Sequence, residues 1–222
     1  MPAFFARREG NRAVIEGGDA QHLARSLRAR AGETIDVIDP AGYLLSVELD
    51  TVTPERVEGV VMAERPHHPE PRGHIAIGIA NLPASALELV LSRCTEAGAH
   101  SFHVFQADRS VARGHKLPRW NAICREAAML ATRLVVPEVL YAPSLEALLA
   151  GSDPPVMLVR GADVPLADLT SPLDLSLLIG PEGGWSQREL ELVPHQASLG
   201  PRNLRADTAA LAGLAIALGS RE

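Results

Sequence analysis

Apolar and polar positions follow a strand-like pattern early in the chain and a helical one later. Residues 34–39, 43–51 and 57–63 are short apolar, β-branched runs, which predicts strands. Asp39-Pro40-Ala41-Gly42 separates the first two, and its Pro and Gly suit a tight turn. Residues 4–7 and 12–15 supply the start of the same sheet. One helix interrupts it. Asp19 is the expected N-cap, Leu23 and Leu27 lie one turn apart, and Gly32 is the expected stop. Short strands around one helix predict a small β-barrel over residues 1–65.

Pro66, Pro69 and Pro71 then follow one another closely, which suits neither a helix nor a sheet interior, so residues 66–73 read as a stiff linker. His67, His68 and His74 lie near one another here, but no carboxylate or cysteine spacing accompanies them and no metal site is expected. Beyond the linker, strands alternate with helices. Residues 74–81 set Ile75, Ile77 and Ile79 against Ala and Gly, leaving one face small enough for a helix to press close. Residues 84–98 place Leu87, Val90, Leu91 and Cys94 at helical spacing. Strands are expected at 101–106, 156–160 and 175–179, and a second helix at 118–134, with Pro118 in its first turn and Pro137 past its end. This rhythm predicts an α/β domain over 74–222, its sheet largely parallel with helices on both faces.

Composition narrows the class. Of 222 residues 46% are hydrophobic and 22% charged, with a net charge of −6, which excludes disorder of the whole chain. No apolar run approaches the ~18 residues of a membrane span, and the N-terminus does not read as a secretion leader. Cys94 and Cys124 supply neither a disulfide framework nor a zinc site. The acidic total weakens long-range attraction to nucleic acid, yet positive charge is concentrated locally. Arg25, Arg28 and Arg30 fall in a stretch without acids. Arg109, Arg113, Lys116, Arg119, Arg125 and Arg133 face only Glu126. Residues 109–116, with Gly114 and His115, read as a mobile loop suited to phosphates.

Two loops carry the strongest chemical signal. Leu177-Leu178-Ile179 runs into Gly180-Pro181-Glu182-Gly183-Gly184, and Ser186 with Glu189 forms a capping box for the next helix. Glycines let a backbone approach a ligand closely, and such loops at the ends of parallel strands bind nucleotides. An ordinary strand-to-helix turn explains the cap and one glycine, but not all of them. The loop matches neither a Walker sequence nor G-x-G-x-x-G. The second loop, Leu199-Gly200-Pro201-Arg202-Asn203-Leu204-Arg205, leads to Asp207 or Thr208 as cap of an Ala-rich helix ending near Gly219. Singly, Arg202 and Arg205 read as solvated surface residues; beside the glycine loop they suit a polar ligand or phosphate. Gly213 within that last helix suits close packing, against a partner or within the chain.

These loops closely resemble the GPEGG and LG-x-R-x-LR-x-E-T-A motifs of RsmE-type ribosomal RNA methyltransferases, enzymes of the SPOUT superfamily. The resemblance extends to Gln21-His22-Leu23 with Leu27-Arg28, to Arg93-Cys94-Thr95-Glu96-Ala97-Gly98, to Arg109-Ser110, and to Glu126-Ala127 with Arg133 and Pro137. Asp207 stands where the family has Glu, Arg93 where it has Lys, Leu130 where it has Gln, and Ala84-Ser85 where a Lys is usual. The resemblance implies a PUA-like barrel for RNA recognition and a SPOUT domain with a C-terminal trefoil knot. It further implies a cytoplasmic homodimer that methylates N3 of a uridine in 16S rRNA, within the small ribosomal subunit, with S-adenosylmethionine as donor. Gly180, Glu182, Gly183, Leu199, Gly200, Asn203 and Leu204 would line the donor, and Arg205 would act catalytically. Arg25, Arg28, Arg109, Arg113, Lys116 and Arg133 are the RNA-binding candidates, and no metal is implied. Two other readings stay open here: a SPOUT enzyme acting on another RNA, and a catalytically silent RNA-binding module.

Overall fold

A computed structural model describes residues 2–150, 155–169 and 174–219. The chain divides into two units: Met1–Glu70 with Ala128–Val135, and Pro71–Ala127 with Val136–Glu222.

The first unit is built on one sheet. Its strands are β1 (Phe4–Phe5), β2 (Arg7–Glu9), β3 (Arg12–Glu16), β4 (Thr34–Asp39), β5 (Tyr43–Val52) and β6 (Arg56–Pro66), in the order β1-β4-β5-β6-β3-β2. Only β1 and β4 are parallel, and register shifts in β5 bend the long β5–β6 pair. Phe4, Leu23, Val37, Leu45 and Val57 fill the core beneath it. The expected helix is a short α1 (Gly17–Gln21) that widens into a π-helical turn over His22–Leu27. Asp19 is in its first turn and not its cap, where a carboxylate still complements the helix dipole. The stop is Arg28, in a left-handed conformation at φ +56°, and not Gly32. The Ala29 amide donates to Leu23 there, whereas the Gly32 amide donates to Leu49 at the sheet.

The proline-rich stretch is less independent than its composition suggests. Pro66 closes β6 opposite Tyr43, a strand-end position that tolerates a residue without N–H. His67 donates from its ring to the Thr132 carbonyl at 2.6 Å. Residues 128–135, expected in the second domain, belong to the first unit because Met129 joins its core and Glu70 binds Arg133.

The second unit carries an all-parallel sheet of β7 (His74–Ala80), β8 (Ser101–Phe105), β9 (Glu138–Ala142), β10 (Val156–Leu158), β11 (Asp174–Ile179) and β12 (Gln196–Ala197). The order is β12-β10-β11-β7-β8-β9. Its helices are α2 (Ala84–Glu96), α3 (Leu117–Leu130, which runs into the first unit from Ala128), α4 (Leu145–Leu149), α5 (Gln187–Leu192) and α6 (Ala206–Gly219). Ile75, Ile77 and Ile79 are wholly buried. On the opposite face a Cβ on Gly78 would lie 2.4 Å from Leu178 and 3.4 Å from Leu148 of α4. Gly213 of α6 presses on Leu158, where a Cβ would come within 2.9 Å, so this glycine serves packing within the chain. Helices thus cover both faces. The edge strand β9 and the single-turn α4 are absent from the sequence expectations, because an edge strand dilutes the apolar pattern that marks a buried one.

Candidate cofactor and RNA site

The carboxyl ends of β10, β11 and β12, three neighbouring parallel strands, surround a cavity of about 300 Å³. Leu158, Val159 and Arg160 line it from the end of β10. The glycine loop after β11 supplies Ile179, Gly180, Pro181, Glu182, Gly184 and Trp185. The loop after β12 supplies Leu199, Gly200, Arg202, Asn203, Leu204 and Arg205, with Ala206 and Ala209 of α6 behind them. Loops that close over strand ends leave such a crevice because no side-chain layer fills it.

Each loop is fixed from beneath. Trp185 donates from its indole N–H to the Leu158 carbonyl at 3.0 Å and stacks on Phe105, ring planes 4° apart. A Cβ on Gly180 would stand 2.9 Å from that indole, so this glycine makes room for Trp185 while its backbone borders the cavity. Gly183 lies outside the lining: its carbonyl accepts from Arg109 Nη1 at 3.1 Å, and a Cβ would sit 3.2 Å from Arg109 Cβ. Gly200 behaves as a cradle. Its φ is +95°, and a Cβ would meet only the Arg202 guanidinium, at 3.7 Å.

The capping box of α5 forms as expected, Ser186 Oγ accepting from the Glu189 amide at 3.2 Å and Glu189 from the Ser186 amide at 2.9 Å. Glu189 is wholly buried and also accepts from the Asp108 amide. Asp108, which the sequence did not single out, takes the Ser186 hydroxyl at 2.5 Å and Arg188 Nη2 at 2.5 Å. Arg188, then Ser186, holds the Asp108 carboxyl below the usual carboxylate range. Arg188 also pairs with Glu146. Asp108 is therefore tied to the start of α5, Arg109 to Gly183, and Asn81 adds a bond to the Gly114 carbonyl at 2.8 Å. The expected mobile loop is held by hydrogen bonds along much of its length. Only an Asp followed by Arg and Ser hinted at this in the sequence.

Six of the seven residues expected to line the donor, all but Gly183, do line the cavity, and Arg205 lines it with them. Asp207 does not; it lies in the first turn of α6, not at its cap, and accepts from the Thr208 amide at 2.7 Å. Among the RNA candidates, Arg25, Arg28, Arg109, Arg113 and Lys116 are exposed. Arg133 is a correction. Its side chain is 5% exposed and donates to Glu70 from Nη2 at 2.5 Å and from Nε at 3.0 Å, so it is not available to a phosphate. Arg119 is paired with Glu88 at 2.9 Å, which lowers the local excess further. Among the described residues no cluster of three or more His, Cys, Asp or Glu could hold a metal, and no helix is long and apolar enough to cross a membrane.

Strand-end loops around a nucleotide-sized crevice define a class that comparison makes specific. Residues 68–218 match the family model of the RNA methyltransferase domain, and the chain belongs to this family. Its relatives share a narrower name. The ribosomal RNA small subunit methyltransferase E of Mycobacterium bovis is 31% identical, covering 94% of this chain and 85% of that protein. The protein of that name from Bacillus subtilis is 29% identical, over 90% of this chain and 87% of that protein. A crystal structure of ribosomal RNA small subunit methyltransferase E from Neisseria gonorrhoeae, bound to S-adenosyl methionine, superposes with a TM-score of 0.86 at 23% identity. It covers 97% of this chain and 95% of that one, and shows that the fold is shared.

Proposed function

We propose that this protein transfers a methyl group from S-adenosylmethionine to N3 of a uridine in 16S rRNA. The observation that carries this reading is the cavity at the ends of β10, β11 and β12, walled by both family motif loops. Its size suits a nucleoside cofactor, since small-molecule pockets begin near ~300 Å³. Leu158, Ile179, Leu199 and Leu204 offer apolar faces for an adenine, and the bare Gly200 backbone leaves room for close approach. When bound, S-adenosylmethionine supplies an electrophilic methyl carbon on a cationic sulfur.

The chain's own task is to prepare the nucleophile. Uridine N3 carries a proton that must leave before or during attack, which leaves negative charge on O2 and O4. Arg205, on the cavity wall, is the cation that would stabilise this charge. Glu182 is the acid among the described lining residues and the candidate to accept the proton. The target base must present its Watson–Crick edge, so it is single-stranded or flipped when it enters.

We further infer a PUA-like barrel role for the first unit, with Arg25 and Arg28 toward RNA, and a trefoil knot in the second. A homodimer acting on the small ribosomal subunit in the cytoplasm completes the reading. The test is transfer of labelled methyl to small subunits and to naked 16S rRNA, followed by mapping of the modified nucleotide. Label on N3 of one uridine supports the reading; label elsewhere moves it to another RNA target. Calorimetry without S-adenosylmethionine binding would leave a silent RNA-binding module.

A further inference from the structure

The cavity is more positively charged than its cofactor requires. Among the described residues, Arg160, Arg202 and Arg205 line it against the single acid Glu182. S-adenosylmethionine carries a sulfonium and an ammonium against one carboxylate, so it is itself a net cation and gains nothing from three arginines. The excess suits an anionic second ligand. Arg205 is already assigned to the base, which leaves two guanidinium groups.

Arg160 is the better fixed of these at its backbone. The Val159 amide just before it donates to Ala197 of β12 at 2.9 Å, and the Leu158 carbonyl accepts from Trp185 at 3.0 Å. Past it, the Ala162 amide donates back to Val159 across a turn containing Gly161 at φ +81°. The side chain thus leaves a braced corner at the end of β10, exposed at the cavity. Arg202 reaches the same cavity from the loop after β12, its guanidinium 3.7 Å from where a Gly200 Cβ would stand.

Resting on the function proposed above, we infer that Arg160, with Arg202 of the same lining, binds a backbone phosphate of the RNA next to the target uridine. A planar guanidinium pairs two-pronged with phosphate oxygens, and two arginines approaching from separate loops fix the nucleotide's position as well as its charge. The same chemistry would also hold the carboxylate of the cofactor, and the two sources respond differently to mutation.

The experiment measures methyl transfer to small subunits against salt concentration, with calorimetry of S-adenosylmethionine, for the wild type, Arg160→Ala and Arg160→Lys. A single lost phosphate contact lowers the slope of log kcat/KM against log salt by about 1. Arg160→Ala should show that change, with KM for RNA raised about tenfold and both kcat and cofactor affinity within about twofold of wild type. Arg160→Lys should restore the slope, because it restores the charge. Unchanged RNA kinetics with weakened cofactor binding would overturn the inference in favour of the carboxylate. No change in either would overturn it outright. A wild-type chain that methylates no rRNA would instead remove the function on which the inference rests.

Discussion

Arg133 and Glu70 offer the sharpest test of the difference between a charge counted in sequence and a charge placed in a fold. Glu70 accepts four hydrogen bonds: two from Arg133, one from the Leu134 amide at 2.9 Å and one from the Val135 amide at 3.3 Å. The Arg133 side chain is 5% exposed and that of Glu70 26%. Removing one partner of a buried pair costs about 3–5 kcal/mol, because the other charge stays desolvated. The partial exposure of Glu70 puts Arg133→Ala at the lower end, about 3 kcal/mol. Domains are stable by only about 5–15 kcal/mol, so the loss is large. Glu70→Ala should cost at least as much, since it also strips an acceptor from two backbone amides. The double variant, lacking both charges, should fall short of the sum by about 2 kcal/mol. Urea unfolding followed by circular dichroism gives the three values, and amide exchange over residues 128–135 locates the loosening. A cost below about 1 kcal/mol for Arg133→Ala, together with a shallower salt dependence of RNA binding, would refute the argument and return Arg133 to the RNA surface.

Other outcomes follow from the site. Gly180→Ala drives a Cβ to 2.9 Å from the Trp185 ring, so it should destabilise by about 1–3 kcal/mol and shift the tryptophan fluorescence; wild-type stability and spectrum would contradict the packing role. Arg205→Ala should abolish methyl transfer while calorimetry finds cofactor affinity little changed, and near-normal turnover would remove its assigned role. Asp108 is lowered below its ordinary value of 3.8, so its stabilisation is present above that pH and is lost as pH falls through the depressed folded value. Asp108→Asn should therefore flatten the acid side of the stability profile. Burial, then the neighbouring Cys124, pushes the Cys94 thiol up to about 12, so a thiol reagent at neutral pH should label neither buried cysteine until the chain is unfolded.

The two-part organisation, most of the strands and both motif loops are legible in the sequence, because each depends on local chemistry. A capping box needs only Ser186 and Glu189, and β7 needs only its isoleucines alternating with small residues. Where the structure departs from these expectations, the deciding contact is one that residue type does not announce, whether near in sequence or distant. The π-helical turn over His22–Leu27 follows from no local residue type, and its stop at Arg28 is closed by a hydrogen bond from the Ala29 amide back to the Leu23 carbonyl. Residues 109–116 look free until Gly183 and Asn81, distant in sequence, bond Arg109 and Gly114.

The glycine loop divides the two kinds of information most clearly. The sequence by itself determined that a buried strand ends in Gly-Pro-Glu-Gly-Gly and starts a capped helix, because backbone freedom and capping are properties of neighbouring residues. It could not determine what each glycine is for. Gly180 yields its space to Trp185 and Gly183 lies against Arg109, while Gly200 keeps open backbone at the cavity. Tertiary structure alone decided this, since a missing Cβ has meaning only through the atom that occupies, or leaves empty, the space where it would have been.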